Sequence, residues 1–215
     1  MYQQNTVGGG GLKMSTIDSK KLFCITYPRH GSHFLRENLT QEVDNFDIIY
    51  QHNLDTAHGN EILEDDIILT VVRNPIDAIA SKLILSLERN EQFKNITDIA
   101  YAKELIEQQL SRIINSYSDT YHKLNEYKNL MVIDFTTFET NPWWAFNYIF
   151  KTLGSDKELT TFIMPQSDEV FIATSKDNQY YQYCRNEVMN HEGIDRAFRS
   201  YELLSQRLYE YIDLN

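Results

Sequence analysis

A short loop after the first apolar segment carries several residues that together could hold an anion. Arg29, Gly31 and Ser32 lie within four positions of one another. Gly31 permits a tight turn, and we expect a helix to begin at Ser32, where unpaired N–H groups and the helix dipole favour negative charge. Arg29 adds a full positive charge. The loop therefore predicts a phosphate or sulfate cradle; an ordinary strand-to-helix turn with an exposed arginine is the alternative.

Three familiar loop motifs are missing at this turn. The sequence has neither G-x-x-x-x-G-K-[ST] nor G-x-G-x-x-G there, which argues against a nucleotide kinase and against a dinucleotide enzyme. G-x-S-x-G is missing as well, so Ser32 lacks the context of a hydrolase nucleophile.

A second candidate anion site follows the third apolar segment, at Arg73-Asn74-Pro75. Arg73 is expected at the carboxyl edge of the sheet, where ligands of open α/β sheets bind. Ser81 lies about two turns into the next helix and could face the same crevice. Asn74 is expected to cap that helix, and Ser81 as an ordinary helical position is the alternative.

Histidines supply the candidate general bases. His52 follows the second apolar segment, and an unperturbed imidazole accepts a proton near neutral pH. His58 is the runner-up and His33 a more distant choice. With His30 added, four histidines could approach one sheet edge, but no cysteine or carboxylate spacing completes a metal-ligand set. No metal site is predicted.

The elements that must position these residues alternate between strands and helices. The strand candidates, near-continuous apolar runs typical of a buried parallel sheet, are Lys21–Tyr27, Phe46–Tyr50, Ile67–Val72, Leu130–Phe135 and, more weakly, Glu169–Ala173. The helical patterns are Ser32–Gln41, Ile76–Arg89, Asp98–Tyr127, Asn141–Leu153 and Ile194–Leu214. The alternation predicts an α/β fold with three α/β/α layers and a central parallel sheet of about four to five strands.

Length and charge restrict the function classes. The chain has 215 residues, a length that suits one domain over 16–215, and residues 1–15 are polar and glycine-rich, so we expect them to form a flexible tail. The net charge is −11. The negative charge argues against a nucleic-acid or anionic-membrane partner. No apolar run is long enough to span a bilayer, and no signal pattern is found, so we expect a cytoplasmic location. Cys24 and Cys184 imply no disulfide framework.

The two anion loops, in this order and separation, resemble the cytosolic-type sulfotransferase family. In that family a Tyr-Pro-Lys/Arg-Ser-Gly-Ser/Thr loop holds the 5′-phosphosulfate of 3′-phosphoadenosine 5′-phosphosulfate (PAPS), and an Arg-Asn-Pro-x-Asp-x-x-x-Ser stretch binds its 3′-phosphate. The matching stretches here are Tyr27–His33 and Arg73–Ser81. A third segment, Met131–Phe135 through Asn141-Pro142 to Leu153-Gly154, agrees with the family's late strand and following helix.

The resemblance implies a P-loop-NTPase-like sulfotransferase architecture and transfer of sulfonate from PAPS to a hydroxyl or amine, leaving adenosine 3′,5′-bisphosphate (PAP). Arg29 would contact the 5′-phosphate and the transferring sulfonate, and Arg73 with Ser81 would take the 3′-phosphate. The family often carries its base as a histidine after the second strand, which matches His52. The implied nucleotide-binding positions are Arg29, His30, Gly31, Ser32, His33, Phe34, Arg73 and Ser81, with Phe34 placed near the adenine.

The chain also departs from the family pattern. His30 and His33 replace hydroxyl residues, and Phe135 stands where a tyrosine is common. The basic, glycine-containing C-terminal segment is not recognisable, and Lys176 is the best substitute for it. A non-catalytic nucleotide- or sulfate-binding module is therefore the alternative function, and a P-loop nucleotide kinase a weaker one.

The acceptor is not specified by the sequence. Small molecules, glycans and lipids are all candidates, and the oligomeric state is equally open. The tyrosine-rich run Tyr180–Tyr183 could line an acceptor pocket or pack in the core. Trp143 and Trp144, with Phe146, are expected in the core.

Overall fold

Four parallel strands form one sheet, in the order β2-β1-β3-β4, within the residues that the structure describes. The computed structural model describes residues 20–27, 31–39, 43, 46–52, 54, 61–88, 99–156, 161 and 179–210. The strands are β1 Lys20–Ile25, β2 Phe46–Gln51, β3 Ile67–Val72 and β4 Leu130–Asp134. Cys24 pairs with Tyr50 on one side and with Leu69 on the other, so the carboxyl ends of the strands meet at one edge.

Seven helices surround the sheet in the same part of the chain. They are α1 Ser32–Leu39, α2 Pro75–Glu88, α3 Ile99–Leu124, α4 Phe135–Thr140, α5 Pro142–Thr152, α6 Gln179–Asn190 and α7 Ile194–Ser205. Asn-Pro begins two of them. The Asn74 side chain accepts a hydrogen bond from the Ile76 N–H at 3.0 Å, and Asn141 accepts from the Trp144 N–H at 3.3 Å, as expected of helix N-caps.

Helices pack on both faces of the sheet, and successive side chains of each strand point to opposite faces. Phe23 and Ile25 pack with α2, α3, α6 and α7, whereas Leu22 and Cys24 pack with α1, α4 and α5. The predicted α/β class with a central parallel sheet between helical layers is confirmed. Cys24 and Cys184 are both free and buried, and they belong to these two opposite cores.

Strands β1 and β3 are neighbours, yet the helices that follow them cover opposite faces. Leu35 of α1 packs in the core that contains Leu22, and Ile79 of α2 packs in the core that contains Phe23. The connections therefore diverge between the carboxyl ends of β1 and β3. Such a switch point opens a crevice in which ligands of α/β sheets bind.

The end of β4 differs from the prediction. A strand reaching Phe135 was wrong, because Asp134 ends β4 and α4 begins at Phe135. The Asp134 carboxylate accepts a hydrogen bond from the Thr137 N–H at 3.2 Å and so caps the helix. Helix α4, of only 6 residues, was not predicted from the sequence.

The C-terminal helix is also shorter than predicted. A helix over Ile194–Leu214 was wrong, since α7 ends at Ser205 and Leu208 forms a parallel bridge with Val132 of β4. Arg207 secures this segment by donating to the carbonyl oxygens of Tyr127 and Lys128, at 2.7 and 3.0 Å. Tertiary hydrogen bonds thus overrule an amphipathic pattern that would otherwise continue.

The aromatic residues at the start of α5 are divided between core and surface. Phe146 is fully buried, as predicted, but Trp143 and Trp144 are 42% and 45% exposed, so their placement in the core was wrong. The Trp144 ring stacks on Tyr148 at 5.8 Å and meets Tyr209 edge-on at 4.7 Å. These contacts keep one face of the indole covered at the surface.

Two other predictions fall outside the described residues, namely the tail over residues 1–15 and the fifth strand candidate Glu169–Ala173. None of the described helices combines the length and the apolar character needed to cross a membrane.

Candidate functional site

The turn after β1 enters α1 through a glycine in the left-handed region. Gly31 has φ +77°, a backbone conformation in which any residue with a side chain would be strained. Its carbonyl oxygen accepts a hydrogen bond from the Leu35 N–H at 2.9 Å. A Cβ atom at this position would lie 3.6 Å from Cε2 of Phe135, so the turn passes close to the end of β4. Arg29 and His30 lie outside the described residues, and their roles stay predictions.

Arg73 and Ser81 meet at the carboxyl end of β3. Arg73 Nη1 lies 3.5 Å from Ser81 Oγ, and Ser81 is only 1% exposed. The Arg73 carbonyl oxygen accepts a 2.7 Å hydrogen bond from the Tyr117 hydroxyl of α3. Strand end and helix α2 therefore present a guanidinium and a hydroxyl side by side, in the arrangement that the sequence pattern predicts.

Phe135 connects this pair with the turn after β1. Its ring face lies under the Arg73 guanidinium, 4.4 Å from Cζ to the ring centroid, and its Cδ2–Cε2 edge lies beside Gly31. A cation held over an aromatic face is attracted by the ring quadrupole. From the sequence, Phe135 stood out only as a departure from a family pattern; its position directly after β4, at the same sheet edge, was the available signal. We call Arg73, Ser81, Phe135 and Tyr117 the Arg73 corner.

Buried tyrosines pack beside the Arg73 corner and hydrogen-bond to the backbone around Arg73. The Tyr121 hydroxyl donates to the Val71 carbonyl oxygen at 3.2 Å, and the rings of Tyr117 and Tyr121 lie 4.4 Å apart. Tyr27, after β1, packs edge-on against Tyr117 at 5.2 Å. Burial raises the pKa of both Tyr117 and Tyr121 well above the usual range. Both phenols therefore remain neutral donors that fix the backbone around Arg73.

Helix α6 reaches the start of α2 through Asp77. The Tyr181 hydroxyl donates to Asp77 Oδ1 at 3.2 Å, and Arg185 Nε lies 3.1 Å from the same oxygen. The latter is an ion pair without aligned hydrogen-bond geometry. Burial raises the pKa of Tyr181, the Asp77 carboxylate raises it further, and Arg73 and Arg185 oppose both effects. Helix α6 was not predicted from the sequence, which left open whether its tyrosines line a pocket or pack in the core; Tyr181 is buried.

A cavity of about 130 Å³ lies between α1 and the end of β2. We call it the His52 cleft; it is lined by Thr26, Ser32, His33, Arg36, Tyr50, Gln51 and His52. None of these seven described residues carries a carboxylate. The Arg36 guanidinium lies over the Tyr50 ring, 5.9 Å from its centroid. The structure thus brings three predicted site residues, Ser32, His33 and His52, into one depression at the carboxyl edge.

His52 has a defined hydrogen-bonding role in this cleft. Its Nδ1 lies 3.1 Å from the Thr26 carbonyl oxygen. A carbonyl oxygen only accepts hydrogen bonds, so the neutral ring carries its proton on Nδ1. Nε2 then holds the lone pair, which is the tautomer that a general base requires.

Phe34 contacts the core beside α4 and α5. Its ring meets Phe138 and Phe146 edge-on, at 5.8 and 5.7 Å. Its predicted place near an adenine stays a prediction. Lys176 and His58 lie outside the described residues. Within the described segments, no group of three or more side chains is arranged to hold a metal ion.

No protein-family model matches the chain, and no curated protein matches it. Among solved structures, the chain is similar to mouse sulfotransferase SULT7A1 complexed with PAP, with a TM-score of 0.46 and 16% identity, over 88% of this chain and 84% of that chain.

Proposed function

We propose that the chain is a sulfotransferase that moves the sulfonate group of PAPS to a hydroxyl or amine of an acceptor. The observation that carries the proposal is the meeting of the Gly31 turn with the Arg73–Ser81 pair at the switch point, through Phe135. Two anion-binding groups at one sheet edge suit a nucleotide with two separated phosphates. The paired sequence motifs lie at these same two positions.

The chain's own residues divide the work of binding. Arg73 offers a planar fork of N–H donors, and Ser81 a hydroxyl, to the 3′-phosphate. Arg29, Ser32 and the N–H groups at the start of α1 would take the 5′-phosphate and the sulfonate, with His30 and His33 beside them. These local charges are needed because the chain as a whole carries −11 and repels anions at long range.

Transfer needs positive charge at the leaving oxygen and a base for the acceptor's proton. PAPS supplies an activated sulfonate on a phosphate leaving group. Arg29 would stabilise the developing charge by hydrogen bonding, since arginine does not give up its proton. His52 would accept the acceptor's proton at Nε2 while the Thr26 carbonyl holds the opposite ring nitrogen. The reaction requires no metal ion.

The size of the His52 cleft also favours certain classes of acceptor. A cavity of about 130 Å³ suits the reacting end of a small-molecule acceptor, or one end of a glycan or lipid. The acidic surface does not suit nucleic acid. We infer a cytoplasmic enzyme, with Lys176 as the candidate residue that covers the nucleotide.

The decisive test begins with nucleotide binding. PAP at millimolar concentration should raise the melting temperature more than adenosine 5′-monophosphate, which lacks the 3′-phosphate. Labelled PAPS should then transfer sulfonate to at least one member of a broad panel of phenols, alcohols and amines. No stabilisation by PAP would exclude the proposal. Stabilisation without transfer would favour a non-catalytic binding module, and stabilisation by ATP with Mg²⁺ instead would favour a kinase.

A further inference from the structure

Asp77 places a carboxylate beside the proposed 3′-phosphate site. It lies four residues after Arg73 and four before Ser81, so it shares the side of α2 that carries Ser81. A carboxylate in the first turn stabilises a helix. The same charge, however, repels an incoming phosphate and attracts the guanidinium that should bind it. An anion site here needs some means of neutralising Asp77.

Helix α6 carries two groups that meet this need. Tyr181 and Arg185 are four residues apart and therefore lie on one face of α6. Both contact the same oxygen of Asp77, the hydroxyl at 3.2 Å and Nε at 3.1 Å. Tyr181 is 2% exposed, so this contact belongs to the packed interface between α6 and α2.

Arg73 contacts other groups, while Tyr181 and Arg185 contact Asp77. Its guanidinium contacts Ser81 Oγ at 3.5 Å and the Phe135 ring at 4.4 Å. Arg73 also acts electrostatically on the Tyr181 hydroxyl, as does Arg185, so both cations lie near the Tyr181–Asp77 pair. Of these two arginines, only Arg73 belongs to the proposed binding site.

We propose that Arg185 and Tyr181 are positioning residues, which occupy the Asp77 carboxylate so that Arg73 stays directed toward Ser81 and the 3′-phosphate. The inference rests on the proposed function for the identity of that phosphate. Removing Arg185 leaves an uncompensated carboxylate within reach of Arg73, which then turns to Asp77. Binding of the 3′-phosphate is then weakened, and binding of the 5′ end of the nucleotide is unchanged.

The binding test compares PAP with adenosine 5′-monophosphate by titration calorimetry. Arg185→Gln should weaken PAP about two- to fivefold, the range expected for a partly exposed charge pair, and leave adenosine 5′-monophosphate unchanged. The double variant Asp77→Asn/Arg185→Gln should restore PAP affinity, because the competing carboxylate is gone. Arg196→Gln, which breaks the exposed 2.6 Å pair with Asp119, is the matched control and should change neither ligand.

A second measurement needs no nucleotide. In crystals of Arg185→Gln, the Arg73 guanidinium should lie within about 4 Å of the Asp77 carboxylate, the distance of an ion pair. An Arg73 that remains on Ser81 overturns the inference, as does a double variant that fails to recover PAP affinity. If the unaltered protein binds no PAP, the proposed function fails, and the position of Arg73 in the variant crystal still decides the inference.

Discussion

The Arg73 corner and the His52 cleft share one edge of the sheet, but the chain holds their side chains differently. At the corner, Ser81 and Tyr117 are buried, and the backbone of Arg73 is bound by a phenol at 2.7 Å. In the cleft, His33, Arg36 and His52 are exposed, and a backbone carbonyl at 3.1 Å orients His52. A packed corner suits a group that never changes, such as a nucleotide phosphate, whereas an open cleft can admit varied acceptors.

The comparison predicts that the two regions fail in different ways, and the largest effect is expected in the cleft. His52→Ala should lower turnover by about 10²–10⁴-fold, the usual contribution of a general base, while PAP affinity stays unchanged. Labelled sulfonate transfer and PAP titration measure the two quantities separately. His122→Ala, at the exposed end of α3, is the control. Unchanged turnover would move the base to another residue, with His58 tested next.

Alkaline pH should lower the free energy of unfolding through the buried phenols of Tyr117, in the Arg73 corner, and of Tyr121 beside it. Tyr117 and Tyr121 have raised pKa values in the folded chain, so above pH ~10 the unfolded chain releases protons that the folded chain retains. Their contribution is complete below that pH and is lost as the pH rises toward the folded-state pKa. Each residue should lower the free energy of unfolding by about 1.4 kcal/mol per pH unit. Urea unfolding between pH 9 and 11 measures the slope, and Tyr117→Phe should reduce it; an unaltered slope in that variant contradicts the assignment.

A substitution at Arg73 should separate binding of the 3′-phosphate from binding of the rest of the nucleotide. Arg73→Gln should weaken PAP about 10- to 100-fold, as expected for lost hydrogen bonds to a charged group. Adenosine 5′-monophosphate should bind as before, because it has no 3′-phosphate. Arg112→Gln, exposed on α3, serves as the matched control. Equal losses for both nucleotides would mean that Arg73 acts on the fold and not on the 3′-phosphate.

The smallest effect is expected at Phe135, which joins the corner to the turn after β1. Phe135→Leu keeps an apolar side chain but removes the ring face under Arg73, so PAP should bind about two- to fivefold more weakly. Phe135→Tyr keeps the ring and should bind PAP normally. Calorimetric titration of the two variants makes the comparison. If leucine and tyrosine behave alike, the ring face does not hold Arg73.

Much of the fold was predictable because buried strands appear in the sequence as runs of apolar residues. The segment Leu22–Ile25 is continuously apolar, Ile67–Val72 is apolar except for Thr70, and every one of these residues is buried in the sheet. Asn74-Pro75 and Asn141-Pro142 correctly marked two helix starts, since capping depends only on neighbouring residues. The meeting of Arg73 with Ser81 followed from a spacing of eight residues across one strand end and helix start.

Contacts between distant segments were not predictable in this way. The end of α7 depends on Arg207 reaching carbonyl groups 79 and 80 residues away. The ring of Phe135 became part of the corner because β4 lies beside β3. Tyr181 and Asp77 are separated by 104 residues, and no local pattern relates them.

Local patterns in the sequence were enough to predict the four strands, the two Asn-Pro helix starts and the two candidate anion loops, because apolar periodicity, capping and short motifs depend on neighbouring residues. The rings and charges around Arg73, the nitrogen of His52 that carries the proton and the contact of α6 with Asp77 all depend on how distant segments pack together. The physical reason is that hydrogen bonds and charges act over a few ångströms in space. Residues far apart in the sequence become neighbours at those distances only when the sheet order and the helix packing have brought them together.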